Sequence, residues 1–189
     1  MSFNIHLRKS DPDIISELRK EIIPFSSIEN APFAELKRRI GDACIVLLGE
    51  STHGSSEFYK IRAELTKYLI MNCGFNIVAL EADWPDVAQV NRYIHHEQRG
   101  AIRKSFTRFP QWMWRNQEFL DFINWLRKYN GSFENKEKMV TLNGLDLYSL
   151  YSSIDEVLRY LEQKDPTLAH FARENYSCLM PWKGSPSEY

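Results

Sequence analysis

The sequence predicts an α/β fold in which a mostly parallel β-sheet is layered between helices. The first observation behind this prediction is that short apolar runs, typical of strands covered on both faces, alternate with longer amphipathic segments. The second is that helices separate successive runs, and strands joined in this way pair in parallel through right-handed crossovers. Ligands bind such sheets outside the carboxyl ends of the strands, so the topology also predicts where a site lies.

The 189 residues, 43% of them hydrophobic, are enough for one ordinary core, and no internal repeat divides the chain. We therefore expect a single domain over residues 1–189, with leading helices within 11–40 and a loose tail at 181–189. The first leading helix is predicted at Asp11–Phe25, opened by an Asp-Pro cap, and the second at Pro32–Ile40.

A βαβ unit follows the leading helices. Ala43–Leu48 is a continuous apolar run that ends at a glycine, and it is the strand that the pattern predicts most strongly. Ser55–Cys73 has helical periodicity and is stopped by Gly74, and Asn76–Leu80 is the next predicted strand.

The rest of the chain continues the alternation of helices with one more strand, predicted at Met139–Leu142. Pro85 begins one helix, because proline is favoured in the first turn. The predicted helices are Pro85–Ile94, Trp112–Tyr129, Ser152–Gln163 and Asp165–Tyr176, with a basic loop at Arg99–Phe109.

Composition limits the partners. Lys and Arg number 24 against 25 Asp and Glu, for a net charge of −1, so no bulk positive field favours nucleic acid or an anionic membrane. No apolar run has membrane-spanning length and the first residues do not resemble a secretory signal, so we expect no membrane association and a cytoplasmic location. The three cysteines are widely spaced, which predicts reduced thiols. A small-molecule substrate is the expected partner.

Acidic side chains follow each predicted strand. Glu50 comes after the first, Glu81 and Asp83 after the second, and Asp146 after the third. Because carboxyl ends of parallel strands share one edge of a sheet, we expect these loops to converge. Carboxylates gathered near a histidine or arginine are typical of acid–base catalysis.

His53 is the candidate general base, because it is the imidazole nearest these acids, three residues after Glu50. A histidine here could instead cap the following helix. Arg62 falls within the predicted inward stripe of that helix, so it needs an anionic partner, such as Glu50, Glu81 or substrate. One alternative is an arginine stem lying along apolar surface with its head in water, and another is a purely structural ion pair that holds the first loop in place.

Trp112, Trp114 and Arg115 lie beside a loop and could form an apolar wall for a substrate, although aromatic stripes are more often core. Together with Asp83 and Asp146 they are the predicted substrate-binding residues. The sequence has no GxSxG, Walker A or GxGxxG motif, so a serine hydrolase, a phosphate-binding loop and a dinucleotide site have no support. No cofactor is predicted.

A metal site is the alternative mechanism. Glu50, His53, Glu81 and Asp146 could bind a metal ion, but one histidine among oxygen ligands lacks the spacing typical of zinc sites. We therefore predict no metal, and water activated directly by a side chain.

Six motifs in order carry a resemblance to a known family. They are Leu48–Gly54 (LGESTHG), Arg62–Leu65 (RAEL), Ala79–Asp86 (ALEADWPD), Val90–Tyr93 (VNRY), Pro110–Arg115 (PQWMWR) and Gly144–Ser149 (GLDLYS). Together they are similar to the erythromycin esterase family, from about the first predicted strand to about Cys178.

This resemblance implies metal-independent hydrolysis of a macrolide lactone, and hence a role in antibiotic resistance. It implies that His53 activates water, that Glu50 orients the histidine or its water, and that Arg62 and Glu81 are further site residues. Family members are usually longer, so the chain is expected to lack the C-terminal half of the fold and to associate with a missing half or with another copy. The alternative is a non-catalytic module that binds a small ligand, or haem through His53.

Overall fold

The structure is a computed structural model, and its chain divides into two compact units, Met1–Val46 and Leu47–Tyr189. The residues that it describes are 12–50, 52–98, 105–107, 111–146 and 149–183. The prediction of a single domain with a loose tail stays a prediction, since residues 184–189 lie outside the described part.

The first unit contains the two leading helices that the sequence predicts. Helix α1 spans Pro12–Glu21 and helix α2 spans Phe33–Ile40, with a 3₁₀ turn at Ile28–Asn30 between them. Within α2, the Glu35 carboxylate accepts hydrogen bonds from Arg38 three residues later, and they lower the pKa of Glu35.

The strand predicted at Ala43–Leu48 is not formed, so the strongest of the strand predictions is wrong. The run has no regular secondary structure, and Leu47 is 89% exposed. The physical reason is that a strand exists through hydrogen bonds to a neighbouring strand, which an apolar sequence cannot supply by itself. The sheet in the described part has two strands, and neither pairs with this run.

The second unit alternates helices with two strands, β1 and β2. Its elements are α3 (Ser56–Cys73), β1 (Ile77–Asp83), α4 (Trp84–Ile94), α5 (Gln111–Trp114), α6 (Gln117–Asn130), β2 (Thr141–Asp146), α7 (Leu150–Lys164) and α8 (Pro166–Tyr176). Its described part also contains 3₁₀ segments at Lys136–Lys138 and Ser177–Trp182. Except for the first strand, the predicted elements are present within a few residues of their expected bounds, and most of the basic loop lies outside the described residues.

Local sequence signals explain where the helices begin and end. Gly74 adopts φ 77°, a left-handed conformation that favours glycine, and it ends α3. Asn116 caps α6, because its side chain accepts a hydrogen bond from the Phe119 amide at 2.8 Å. This cap divides the predicted helix Trp112–Tyr129 into the short α5 and the longer α6.

Strands β1 and β2 are parallel, as predicted, and their register pairs Ile77 with Thr141 and Leu80 with Gly144. The register then shifts, so that two residues of β1 face one residue of β2 before Asp83 pairs with Asp146. A Cβ on Gly144 would lie 2.6 Å from the Ala82 carbonyl oxygen, so only glycine fits at this irregularity.

Helices α4 and α6 cover one face of this small sheet and form the main core with it. The centre of this buried cluster consists of apolar side chains from both helices and from the start of β2. They are Val87, Val90 and Ile94 of α4, Phe119, Ile123 and Leu126 of α6, Val140 just before β2, and Leu142 within it. On the opposite face of the sheet, Ile77 and Leu145 are largely exposed. In the described part, helices therefore pack on one face of the sheet instead of the two that were expected.

Helices α7 and α8 form a second, smaller apolar cluster around Tyr151, Ile154 and Leu158. Asp165 caps α8 by accepting hydrogen bonds from two amides of its first turn, each at 3.0 Å. Among the described helices, none combines the length and apolar composition that a membrane crossing requires.

Candidate active site

The Glu50 carboxylate lies between an imidazole and a guanidinium. Its Oε2 is 2.6 Å from Arg62 Nη1, and its Oε1 is in ion-pair contact with His53 Nδ1, although these two groups do not meet at the angle of a hydrogen bond. The Glu50 and Arg62 side chains are mostly buried, whereas the His53 side chain is 41% exposed. The Glu50 carboxylate therefore contacts both Arg62 and His53, and the His53 side chain remains partly exposed to solvent.

Helix α3 places the arginine of this cluster. Ser56 begins the helix just after the turn that carries His53, so Arg62 lies near its second turn and reaches back to Glu50. The Arg62 Nε donates to the Phe58 carbonyl oxygen at 3.4 Å, which steadies the guanidinium. The sequence left open whether Arg62 pairs with an acid or extends its head into water, and in the structure it pairs with Glu50.

Tyr59 packs directly beneath this arginine. The guanidinium carbon of Arg62 lies 5.1 Å from the centroid of the Tyr59 ring, within the range of a cation–π contact. Tyr59 is only 8% exposed, and its hydroxyl has no hydrogen-bond partner among the described residues. Burial raises the pKa of this hydroxyl, and the negative charge of Glu50 raises it further. The sequence analysis did not single out Tyr59, because a tyrosine on a helical stripe gives no signal distinct from core.

The two tryptophans of the predicted substrate wall have different surroundings. Trp112 is exposed, and its ring meets the His53 ring edge-on with centroids 6.4 Å apart. Trp114 packs instead among Phe106, Phe119 and Tyr59, with ring centroids 5.1 to 6.4 Å away. Trp112 is thus beside the imidazole, whereas Trp114 supports the site from the core.

For two of the other predicted substrate-binding residues, the structure shows contacts within the sheet and with the start of α7. Asp83 ends β1, and its carboxylate accepts a hydrogen bond at 3.1 Å from the Ser149 amide, so it holds the start of α7. Asp146 pairs with Asp83 in the strand register. Arg115 is exposed, and within the described part its side chain contacts no carboxylate of the Glu50 cluster.

Glu81 makes no ion pair with the cluster among the described residues. It is the fifth residue of β1, it points to the exposed face of the sheet, and it forms no ion pair with any described residue. Across the described residues, no three His, Cys, Asp or Glu side chains group as metal ligands would. The set of Glu50, His53, Glu81 and Asp146 therefore does not come together as the metal alternative requires.

Comparison with known proteins decides the family. The sequence profile described as erythromycin esterase matches residues 70–189, which is more than half of the chain. The chain belongs to the erythromycin esterase family. Glu81 lies within the matched segment, whereas Glu50, His53 and Arg62 precede it.

Two curated relatives share this family likeness over part of their length. "Erythromycin esterase type II" of Escherichia coli is 30% identical over 115 residues, which cover 61% of this chain and 26% of that protein. "Putative hydrolase YbfO" of Bacillus subtilis strain 168 is 24% identical over 156 residues, covering 79% of this chain and 32% of that protein. The chain thus spans between a quarter and a third of these relatives.

Two solved structures have the same fold over most of this chain. A succinoglycan biosynthesis protein, 32% identical, superposes with a TM-score of 0.77 and covers 94% of this chain and 45% of that protein. A Bacillus cereus protein, 24% identical, gives a TM-score of 0.73 and covers 92% of this chain and 42% of that protein. The chain therefore shares a mixed α/β fold with these neighbours, and in its described part this fold is mostly helical with a small parallel sheet.

One contact that steadies the site was not foreseen from sequence. Ser56, the first residue of α3, donates a hydrogen bond from its hydroxyl to the Glu118 carboxylate of α6. This bond is the largest cause that lowers the pKa of Glu118. It joins the helix carrying Arg62 to the helix beside the aromatic core, and residues 62 positions apart carry no local signal of such a contact.

Proposed function

We propose that this chain carries the catalytic base of a carboxylic ester hydrolase, which attacks a macrolide lactone or related ester with water activated by His53. The observation that carries the proposal is the Glu50 carboxylate held between His53 and Arg62. Membership of the erythromycin esterase family supports hydrolysis. A macrolide substrate is proposed because a relative in Escherichia coli is named "Erythromycin esterase type II".

The chemistry follows from the position of Glu50. The negative charge of a carboxylate in contact with Nδ1 favours the tautomer with its proton on Nδ1, which leaves Nε2 able to accept a proton. Nε2 of His53 takes a proton from water as the water oxygen bonds to the ester carbonyl carbon. When the carbon–oxygen bond to the alkoxide breaks, the imidazolium returns the proton to the leaving oxygen. The products are a carboxylic acid and an alcohol, and no other reactant is needed.

Arg62 has two proposed roles. It fixes the second oxygen of Glu50, and its positive charge stabilises negative charge that develops on the ester oxygen. Trp112 is proposed as the apolar wall beside His53, because an exposed ring next to a catalytic base can contact a large lactone. Glu81 stays a proposed site residue on family resemblance alone.

Replacement of the base tests this function. The purified chain is incubated with erythromycin, and mass spectrometry measures the product heavier by one water. We expect His53→Ala to lower kcat/KM by about two to four orders of magnitude, the usual contribution of a positioned base. His170→Ala is the matched control, since that exposed histidine lies on α8, where it contacts Glu174. Equal rates for the His53 variant and the parent would refute the proposal, as would a folded parent that hydrolyses neither erythromycin nor a p-nitrophenyl ester.

Replacement of the orienting carboxylate tests the tautomer. Glu50→Gln places an amide beside Nδ1 that can donate to it, which favours the proton on Nε2 and removes the base. We expect kcat/KM to fall by up to about 10⁴-fold, as when a triad carboxylate becomes an amide. Full activity in this variant would show that Glu50 does not orient the histidine.

A further inference from the structure

Tyr59 is a buried polar group for which the proposed mechanism has no role. Its side chain is more than nine-tenths buried, and its hydroxyl finds no hydrogen-bond partner among the residues that the structure describes. Most buried polar groups are hydrogen-bonded, because removal from water without a new partner is unfavourable. A buried hydroxyl left without a partner beside a candidate site is therefore a natural contact for a ligand.

Tyr59 has neighbours in the Glu50 cluster and on α5. The ring lies beneath the Arg62 guanidinium, one helical turn away on α3, and its edge packs against Trp114. These two contacts on different elements fix the ring plane. Tyr59 is not a member of the main apolar cluster, and the charged groups that act on its hydroxyl are Glu50, Arg62 and Glu118.

We infer that the Tyr59 hydroxyl is a ligand-binding donor of this site, which hydrogen-bonds an oxygen of the bound ester. The inference rests on the proposed function for the identity of the ligand, but not for the binding itself. The hydroxyl remains protonated over a wide pH range, because burial raises its pKa. It donates to a carbonyl or lactone oxygen without supplying a charge, which suits a neutral ester.

The first test removes only the hydroxyl. Tyr59→Phe keeps the ring contacts to Arg62 and Trp114, so the fold is preserved. We expect kcat/KM for erythromycin to fall about tenfold, the effect of one hydrogen bond, with Tm unchanged or slightly raised. Tyr93→Phe is the matched control, because that hydroxyl donates to Asn124 at 3.1 Å on the protein surface. A lowered Tm with unchanged kcat/KM would mean that the Tyr59 hydroxyl is structural, and would overturn the inference.

The second test does not depend on turnover. In the His53→Ala chain labelled with ¹³C at tyrosine Cζ, the Tyr59 signal is identified by its loss in the variant that also carries Tyr59→Phe. Addition of erythromycin is expected to shift this signal and to leave the Tyr93 signal in place. A shift without hydrolysis by the parent would refute the proposed function and support the inference. Hydrolysis by the parent, with no shift and no effect of Tyr59→Phe, would support the function and overturn the inference.

Discussion

Replacement of Asn130 by alanine is expected to destabilise the second unit strongly. Asn130 is the last residue of α6 and is fully buried. Its amide nitrogen donates to the Val140 carbonyl at 2.9 Å and to the Ile94 carbonyl at 3.3 Å, and its Oδ1 accepts from the Val140 amide at 2.8 Å. One side chain therefore joins the ends of two helices to the residue that leads into β2.

The magnitude follows from these three hydrogen bonds. Each contributes roughly 0.5–1.5 kcal/mol net, with the 3.3 Å bond at the low end, and the deleted partner leaves buried backbone groups unpaired. Their sum predicts that the free energy of unfolding falls by about 3 kcal/mol. For a chain of this length, 1 kcal/mol shifts Tm by roughly 2–4 °C, so we expect Tm to fall by about 6–12 °C.

Urea unfolding followed by tryptophan fluorescence measures this loss, with Asn124→Ala as the control. Asn124 is exposed on the same helix, so both substitutions change Asn to Ala in α6. Asn124→Ala removes the exposed hydrogen bond from the Tyr93 hydroxyl, and such a surface change shifts stability by only about 0.5 kcal/mol. If the two variants unfolded within about 0.5 kcal/mol of each other, the reasoning about buried hydrogen bonds here would be refuted.

Two further predictions concern the sheet and the helix contact. Gly144→Ala places a Cβ 2.6 Å from the Ala82 carbonyl oxygen, so we expect urea unfolding to show a loss of about 1–3 kcal/mol in the free energy of unfolding. Gly54→Ala is the control, because its Cβ meets no atom within 4 Å and the loss should be smaller. Equal losses in the two variants would contradict this. Ser56→Ala removes the donor that lowers the pKa of Glu118, so we expect this pKa to rise toward its ordinary value in an NMR titration. Since a lowered folded pKa stabilises the protein above the unfolded pKa, the stability deficit of this variant should be present at neutral pH and vanish in acid; a pH-independent deficit would rule out this origin.

The helices were predictable because their signals are local. Gly74 ends α3 and Asp165 opens α8 through contacts with residues a few positions away, which the sequence itself displays. Strand formation depends on a partner, and this explains why Ala43–Leu48 failed as a prediction while β1 and β2 succeeded. An apolar run shows that burial is favourable, but it does not say which strand lies beside it.

The candidate site was predictable in part for the same reason. Glu50, His53 and Arg62 lie close in sequence, so one turn and the start of one helix suffice to bring them together. The expected convergence with Glu81 depended on a first strand that the structure does not form. Trp114 was predicted at a substrate wall, but its neighbours are core aromatics, and periodicity cannot distinguish these two surroundings.

Because the candidate site is built from residues close in sequence, mutations elsewhere in the second unit can change the unfolding temperature without changing the rate of hydrolysis. The Glu50 cluster needs the start of α3 to be held in place, and the Ser56–Glu118 hydrogen bond to α6 and the contact of Tyr59 with Trp114 of α5 hold it there. None of these contacts involves β2 or the end of α6. A change at the far end of α6 therefore lowers the unfolding temperature without altering the geometry around His53, so below that temperature its effect on hydrolysis should be small. Loss of these contacts acts in the opposite way, because it loosens the start of α3, from which Arg62 reaches Glu50, while Ile70 keeps the rest of the helix in the main core.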